Sequence, residues 1–324
     1  MKAIVARTPG GPEVLELQET AAPTPGQDEV GIAVAAAGVN RADLMQRQGH
    51  YPPPPGASPV LGLEVAGHVA ALGPGVTGWA VGDPCVALLA GGGYAEEVAV
   101  PAGQVIRPPD GFSMQQAAGL VEVAATVVSN LDLARLTDGE VFLVHGGAGG
   151  IGSFAIQYAR TLGATVVATA GDDAKLDYCR SVGAHHAVSY RGDWVAEVRE
   201  VAPGGVDVVL DNMGARYLAQ HQELLATEGR LVVIGLQGGT RGTLDLGALL
   251  AKRASVSATS LRARPVAEKA AICRRVAERI WPLVSAGTIA PAPQTVFPLA
   301  DAASAHAHLE SGDNLGKVVL RVRD

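Results

Sequence analysis

The segment "EVFLVHGGAGGIGSFAIQYARTLGATVVATAG", residues 140–171, constrains the fold more than any other part of the chain. A strand-length apolar run meets a glycine-rich turn, and the turn opens straight into an amphipathic stretch. Ile151, Phe154, Ala155, Tyr158, Ala159 and Leu162 recur at i, i+3, i+4, i+7, i+8 and i+11, which is one face of a helix. A second apolar run, "ATVVATA", follows. Gly147, Gly149 and Gly152 satisfy GxGxxG between the first strand and the helix. Glycines there let the backbone turn tightly and approach a pyrophosphate, whose charge is met by free N–H groups and the positive helix end. The pattern alone is weak in a chain with 41 glycines; its strand-to-helix context gives it weight.

The alternation continues through "KLDYCRSVGA" (helix), "HAVSY" (strand), "VAEVREVA" (helix), "VDVVLDNMG" (strand), "QELLATEG" (helix), "GRLVVIGL" (strand) and "ASVSATS" (strand). Repeated units of this length predict an α/β fold with a doubly wound, mostly parallel Rossmann sheet over residues 123–264. Before it, short apolar runs such as "KAIVAR", "EVGIAVAAAGV" and "EVAGHVAAL" are broken by "TPGGP", "PTPGQ" and "LGPGVTG", the pattern of an irregular β-rich unit. "YPPPPG" is a rigid loop, and "SMQQAAGLVEVAATVVSNLDLA" a helical stretch with Ser113 as its N-cap. After Pro265 a long helix, a strand, a helix and a last strand are too few for a domain of their own. They are expected to complete the first unit, giving one domain of 1–122 with 265–324.

Composition excludes several classes of function. With 25 Lys and Arg, a net charge of −7 and no basic run, nucleic acid is not expected as the main partner. No membrane association is expected, since no apolar run reaches the ~18 residues of a span and the N-terminus lacks the apolar core of a signal peptide. Cys85, Cys179 and Cys273 form neither a CxxC pair nor a framework; they read as small core residues in a reducing cytoplasm. The eight histidines show no ligand spacing and read as surface or capping residues.

The choice of nicotinamide cofactor should be legible where the second strand ends. NAD sites carry a carboxylate there for the ribose 2′-hydroxyl. Here the strand ends at Ala170 with Gly171 after it, and Lys175 and Arg180 stand within reach of a 2′-phosphate. Asp172 and Asp173 share that loop and would repel a phosphate if they pointed at it. NADPH is the expected cofactor, with Asp172 the residue that most opposes it.

With these parts assembled, the chain resembles the medium-chain dehydrogenase/reductase superfamily over essentially its whole length. "GLEVAGHVAALGPGVTGWAVGD" resembles the superfamily stretch that runs Gly-His-Glu, spaced glycines, then Val-Gly-Asp. In zinc-bearing members that histidine is a metal ligand; here the position is Leu63. The cysteine ligand's place is held by Asn40, and the four-cysteine lobe of the structural zinc is absent, with "VALLAGGGYAEEV" running through. Leucine and asparagine cannot replace imidazole and thiolate on zinc, so no metal is expected. Glu64, between glycines in an apolar stretch, then reads as a buried, hydrogen-bonded carboxylate. "NRADLMQRQGHYPPPPGAS", "LGLEVAGHV" and "ALLAGGG" are similar to the zinc-independent, zeta-crystallin-like quinone oxidoreductases, in particular the subgroup containing the human tumour-suppressor-inducible enzyme.

That resemblance implies a GroES-like β-rich catalytic domain beside the Rossmann domain. It further implies a soluble, homodimeric NADPH-dependent reductase of small-molecule quinones, working in the cleft between its domains. The chemistry agrees, because a quinone or enone delocalises incoming negative charge and needs no Lewis acid. The alternatives are an NADPH-dependent reductase of α,β-unsaturated ketones or thioesters, and a nucleotide-binding structural or regulatory protein of low turnover.

Tyr51 heads the proline loop and is the first candidate on the substrate side; it reads otherwise as a packing tyrosine. Asn40 and Asp43 match the family's NxxD and would line the pocket or orient the cofactor, although Asp43 reads equally as a carboxylate at a helix N-terminus. The resemblance carries Thr126 to the nicotinamide and Gly149, Gly150 and Ile151 to the pyrophosphate. It places Gly171, Lys175 and Tyr190 around the 2′-phosphate, and adds Asn212, Gly235, Leu236 and Asn314. Lys175 alone would read as a solvated helix lysine. The strand "ASVSATSL", at the far edge of the sheet, could pair with its twin in a dimer.

Overall fold

The computed structural model describes residues 1–323. They form two compact units, one of Met1–Ala125 together with the chain from Leu261 onward, the other Thr126–Ser260.

The first unit opens with the antiparallel hairpin of β1 (Lys2–Ala6) and β2 (Leu15–Glu19). β3 (Glu29–Val39) is the long central strand, and it runs into α1 (Arg41–Arg47). Then come β4 (Glu64–Leu72), β5 (Pro84–Leu88), β6 (Glu97–Pro101), β7 (Val105–Ile106) and α2 (Met114–Ala117). α2 carries the capping box of Ser113 and Gln116, so the cap foreseen at Ser113 is present. The helical stretch is not continuous, however. It breaks after Ala117 and resumes as α3 (Val121–Ala134). Gly119 lies in the break, where a Cβ would come 2.8 Å from Lys317 Cγ.

In the second unit β8 (Val141–His145), α4 (Gly150–Thr161), β9 (Thr165–Ala170), α5 (Asp173–Ser181), β10 (His186–Ser189), α6 (Trp194–Val201), β11 (Val206–Asp211), α7 (Leu218–Leu224), β12 (Leu225–Val233), α8 (Leu246–Lys252) and β13 (Ser255–Ala258) alternate. The sheet order is β10-β9-β8-β11-β12-β13 and every pairing is parallel. Strand order reverses between β8 and β11, the switch point at which such sheets bind ligands. "LATEG", expected to be helix, is strand: α7 ends at Leu224 and β12 starts at Leu225, paired with Val206 of β11. Glu228, at φ 62°, sits in the irregular stretch that follows before the register resumes at Arg230.

Returning to the first unit, α9 (Val266–Arg275) passes through a wide π turn at Val276–Ile280 into α10 (Trp281–Ser285). Pro282, which has no N–H for the ladder, accounts for the loosened turn before it. β14 (Gln294–Pro298), α11 (Ala302–Ser311) and β15 (Lys317–Arg321) complete the chain. β15 lies antiparallel on β3 with Val318 opposite Val39, and the sheet runs β14-β15-β3-β4-β5-β7 with β6 also on β3. Its alternate residues, among them Val30, Ile32, Val34, Val65, Val69 and Leu320, fill the core of this unit. All three cysteines are buried, as expected of core residues. Residues Met114–Ala134 are apolar enough over their length to cross a membrane, which corrects the sequence reading, but 83% of that window is buried inside the protein.

Candidate active site

In the second unit the glycine turn is built for close approach. A Cβ on Gly152 would lie 2.2 Å from the carbonyl oxygen of Gly146, so only glycine lets the helix start so near the turn. Gly149 differs: it is the N-cap of α4 at φ −84°, and a Cβ there would have only Gly146 O, at 3.5 Å, within 4 Å. The protein's own packing does not require that glycine. The open space beside it, at the start of a helix whose first N–H groups are free, suits a pyrophosphate. Gly150 and Ile151 are the first residues of α4.

Around the end of β9, Gly171 backs directly onto Tyr190, whose Oη would lie 2.4 Å from a Cβ. Asp172 caps α5, accepting from Lys175 N at 3.0 Å, and pairs with Lys175 Nζ at 3.3 Å. The backbone N–H of Lys175, with its ammonium, holds the Asp172 carboxyl below the usual carboxylate range. Asp172 is thus turned into its own helix rather than left as a free carboxylate. Gly235 packs against Asn212, where a Cβ would be 2.8 Å from Asn212 O. Asn212 Oδ1 is buried with no hydrogen-bond partner, an acceptor left over at the carboxyl end of β11. Leu236 is exposed beside it, and Thr126 is buried, its carbonyl accepting from Asn130 Nδ2 at 2.7 Å. An unpartnered acceptor and an open glycine cradle are what a bound dinucleotide would fill.

In the first unit Asn40 is the N-cap residue of α1, and Asp43 Oδ2 accepts from Asn40 N at 2.8 Å. Asp43 is fully buried and also accepts from Gly62 N at 3.1 Å and from the Tyr94 hydroxyl at 3.2 Å. Burial raises its carboxyl to about 6 against those hydrogen bonds. With three protein donors on it, Asp43 is an internal brace. The side chain of Asn40 turns the other way and donates to Glu64 Oε1 at 3.0 Å. Glu64, fully buried, also accepts from Glu122 N at 3.0 Å and pairs with Lys317 Nζ at 2.6 Å. Lys317 reaches Asn40 Oδ1 as well, closing a triad. Lys317 leaves no signal in the sequence, where it is a charge at the start of a strand whose next three residues are buried.

Tyr51 is half-buried, and its carbonyl accepts from Arg262 at 3.2 Å while the guanidinium carbon lies 5.3 Å from its ring centroid. Arg262, itself buried, donates further to Ala90 O at 2.8 Å and to Gln46 Oε1 at 2.7 Å. It therefore ties together α1, the proline loop and the turn after β5. Asn314 has a buried, unpartnered Oδ1 while its Nδ2 bonds Gly316 O at 2.9 Å.

The histidines correct the sequence reading. His145, His221 and His306 are buried, at 3%, 0% and 0% exposure. His306 bonds the Tyr94 hydroxyl at 3.0 Å, and His145 and His221 face each other at 2.7 Å. Lying 76 residues apart, that pair left no spacing signal.

A β-rich unit and a parallel doubly wound sheet whose glycine turn opens a helix are the architecture of dinucleotide-binding proteins. Residues 26–110 match the alcohol dehydrogenase GroES-like domain and residues 150–276 the zinc-binding dehydrogenase family. The chain is 31% identical to the synaptic vesicle membrane protein VAT-1 homolog of Rattus norvegicus, over 99% of this chain and 84% of that one. It is also 36% identical to a mycocerosic acid synthase-like polyketide synthase of Mycobacterium tuberculosis, over 98% of this chain. This chain spans only 15% of that polyketide synthase's length. Among solved structures, Escherichia coli quinone oxidoreductase complexed with NADPH superposes with a TM-score of 0.88 at 30% identity, covering 99% and 100% of the two chains. The chain belongs to the medium-chain dehydrogenase/reductase superfamily.

Proposed function

We propose that the chain is an NADPH-dependent, metal-independent reductase of quinones. The observation that carries this reading is the Glu64–Lys317–Asn40 triad. The carboxylate already has an ammonium at 2.6 Å, and the positions that hold zinc ligands in metal-bearing relatives are Leu63 and Asn40. A cation in place, without imidazole or thiolate, is a poor zinc site. The similarity to a quinone oxidoreductase that binds NADPH supports both substrate class and cofactor.

Bound NADPH would supply a hydride to the electron-poor carbon of the substrate. The N–H groups of Gly150 and Ile151 would hold the pyrophosphate, with Gly149, whose own N–H donates to Gly146 O at 3.0 Å, leaving it room, and Gly171, Lys175 and Tyr190 would hold the 2′-phosphate. Asn212, Gly235, Leu236, Thr126 and Asn314 would complete the nucleotide's surroundings. Tyr51 is the substrate-facing residue, kept in place by Arg262. Asn40 and Asp43 act by positioning, since both are committed to hydrogen bonds within the unit. The charge arriving on a quinone spreads over an aromatising ring, so holding the reactants together carries most of the rate enhancement.

The test is NADPH against NADH consumption over matched quinones and enones. Quinone-dependent consumption of NADPH supports the proposal; turnover of enones alone moves it to the second reading. That reading, reduction of α,β-unsaturated ketones or thioesters, is favoured by the match to a segment of a polyketide synthase. A cytoplasmic setting suits three buried, unpaired cysteines. A homodimer through β13 suits a strand at the sheet edge with Leu246 and Leu250 exposed on the neighbouring α8; a monomeric mass in solution would remove it.

A further inference from the structure

His145, at the end of β8, and His221, in α7, are enclosed by Trp194 and Tyr217, whose ring centroids lie 5.1 Å from that of His145. His221 is wholly buried and His145 nearly so. With Asp211 the two histidines make a group whose ligand atoms lie within 4.8 Å of one another. The geometry is that of a hydrogen-bonded pair rather than a metal site. The facing nitrogens are 2.7 Å apart, whereas two nitrogens on one tetrahedral zinc stand roughly 3.3 Å apart given Zn–N bonds of about 2.05 Å. Burial holds both imidazoles well below their ordinary range, His221 at about 3, so both are neutral. A neutral pair can bond only if one ring donates and the other accepts.

The surroundings fix the direction. Asp211 accepts from Met213 N at 2.7 Å and from Gly214 N at 2.9 Å, and its Oδ2 lies 3.8 Å from His221 Nδ1. That Nδ1 has no hydrogen-bond partner. A lone pair there would oppose a carboxylate, while an N–H would be attracted to it. His221 is then protonated on Nδ1 and accepts on Nε2; His145 donates from Nε2 and accepts the Thr169 hydroxyl on Nδ1, at 2.9 Å. Thr169 O in turn accepts from Gly147 N at 2.9 Å. The series thus runs from the glycine cradle, through Thr169, His145 and His221, to the loop of Asn212.

We propose that His221 is a positioning residue of the nucleotide site, the link that holds the turn after β8 and the loop after β11 in fixed relation. This rests on the cofactor reading above. The test has two arms. In the folded wild type at slightly alkaline pH, nitrogen NMR of the imidazoles is expected to show His221 protonated on Nδ1 and His145 on Nε2. The reverse assignment, or stoichiometric zinc held between the rings, would overturn the proposal. In the second arm His221→Leu and the near-isosteric Thr169→Val are each expected to weaken NADPH binding by about tenfold, the loss of one to two buried hydrogen bonds, and His221→Gln to restore part of it. Affinity within twofold of wild type in a folded Thr169→Val or His221→Leu protein would also overturn it. A wild type that binds neither NADPH nor NADH would sink the cofactor reading instead, a result separable from the other two.

Discussion

Replacing Lys317 by methionine would leave Glu64 buried without its cation. Both side chains are almost wholly out of water, at 6% and 0% exposure, and the pair is closed at 2.6 Å. Removing one partner of such a pair costs about 3–5 kcal/mol, because the remaining charge must be kept in a low-dielectric interior or take up a proton. Asn40 and the N–H of Glu122 stay on the carboxylate and offset part of this, which places the expected loss near 3 kcal/mol. Equilibrium urea unfolding, followed by a probe in the first unit, reads it as a lower midpoint at unchanged slope. Glu64→Leu combined with Lys317→Met removes both charges and should be less destabilised than Lys317→Met alone. A single variant within about 1 kcal/mol of wild type, or a double variant that loses the sum of both singles, would refute the claim that the ammonium is what makes the buried glutamate tolerable.

Gly149→Ala and Gly152→Ala should part company. The first should fold as wild type and lose NADPH affinity by at least about tenfold, the second should lose thermal stability outright, and equal behaviour in melting and binding assays would show the cradle has been misread. Lys175→Ala should lower the preference for NADPH over NADH by about tenfold in relative dissociation constants; an unchanged ratio would remove Lys175 from the 2′-phosphate site. Asp43, raised to about 6 in the fold from an ordinary value of 3.8, binds its proton more tightly when folded. Its contribution is therefore most favourable below about pH 4 and is lost as pH rises through 6, by on the order of 3 kcal/mol. Asp43→Asn should lack that fall, so the stability difference between mutant and wild type should change by about this amount over the range, and parallel curves would count against it.

Much of the fold was legible because periodicity records it. The alternation of apolar runs and amphipathic stretches from 140 onward follows from burying both faces of a parallel sheet, and each strand and helix there leaves a local mark. β12 leaves no strand mark at its start because "LATEG" carries three helix formers, Leu, Ala and Glu, and only the pairing of Leu225 with Val206 makes it strand. In the break between α2 and α3, Gly119 lies against Lys317, a contact between residues far apart in sequence. The site divides in the same way. Glycines and the asparagine at the end of β11 announce themselves by position after a strand. Lys317, Arg262 and the His145–His221 pair do not, since each acquires its role from a partner brought close only by the fold. Asp172 shows the limit most plainly: its residue type argues against NADPH, while its conformation, turned onto Lys175, removes the objection.

Reduction by the proposed route needs a nucleotide and no metal. The most direct measurement is the rate of quinone-dependent NADPH consumption by protein whose metal content has been stripped with a chelator and then quantified. Undiminished turnover in metal-free protein is the predicted result. Loss of activity on stripping, restored by adding back zinc, would contradict the account and require ligands other than Leu63 and Asn40.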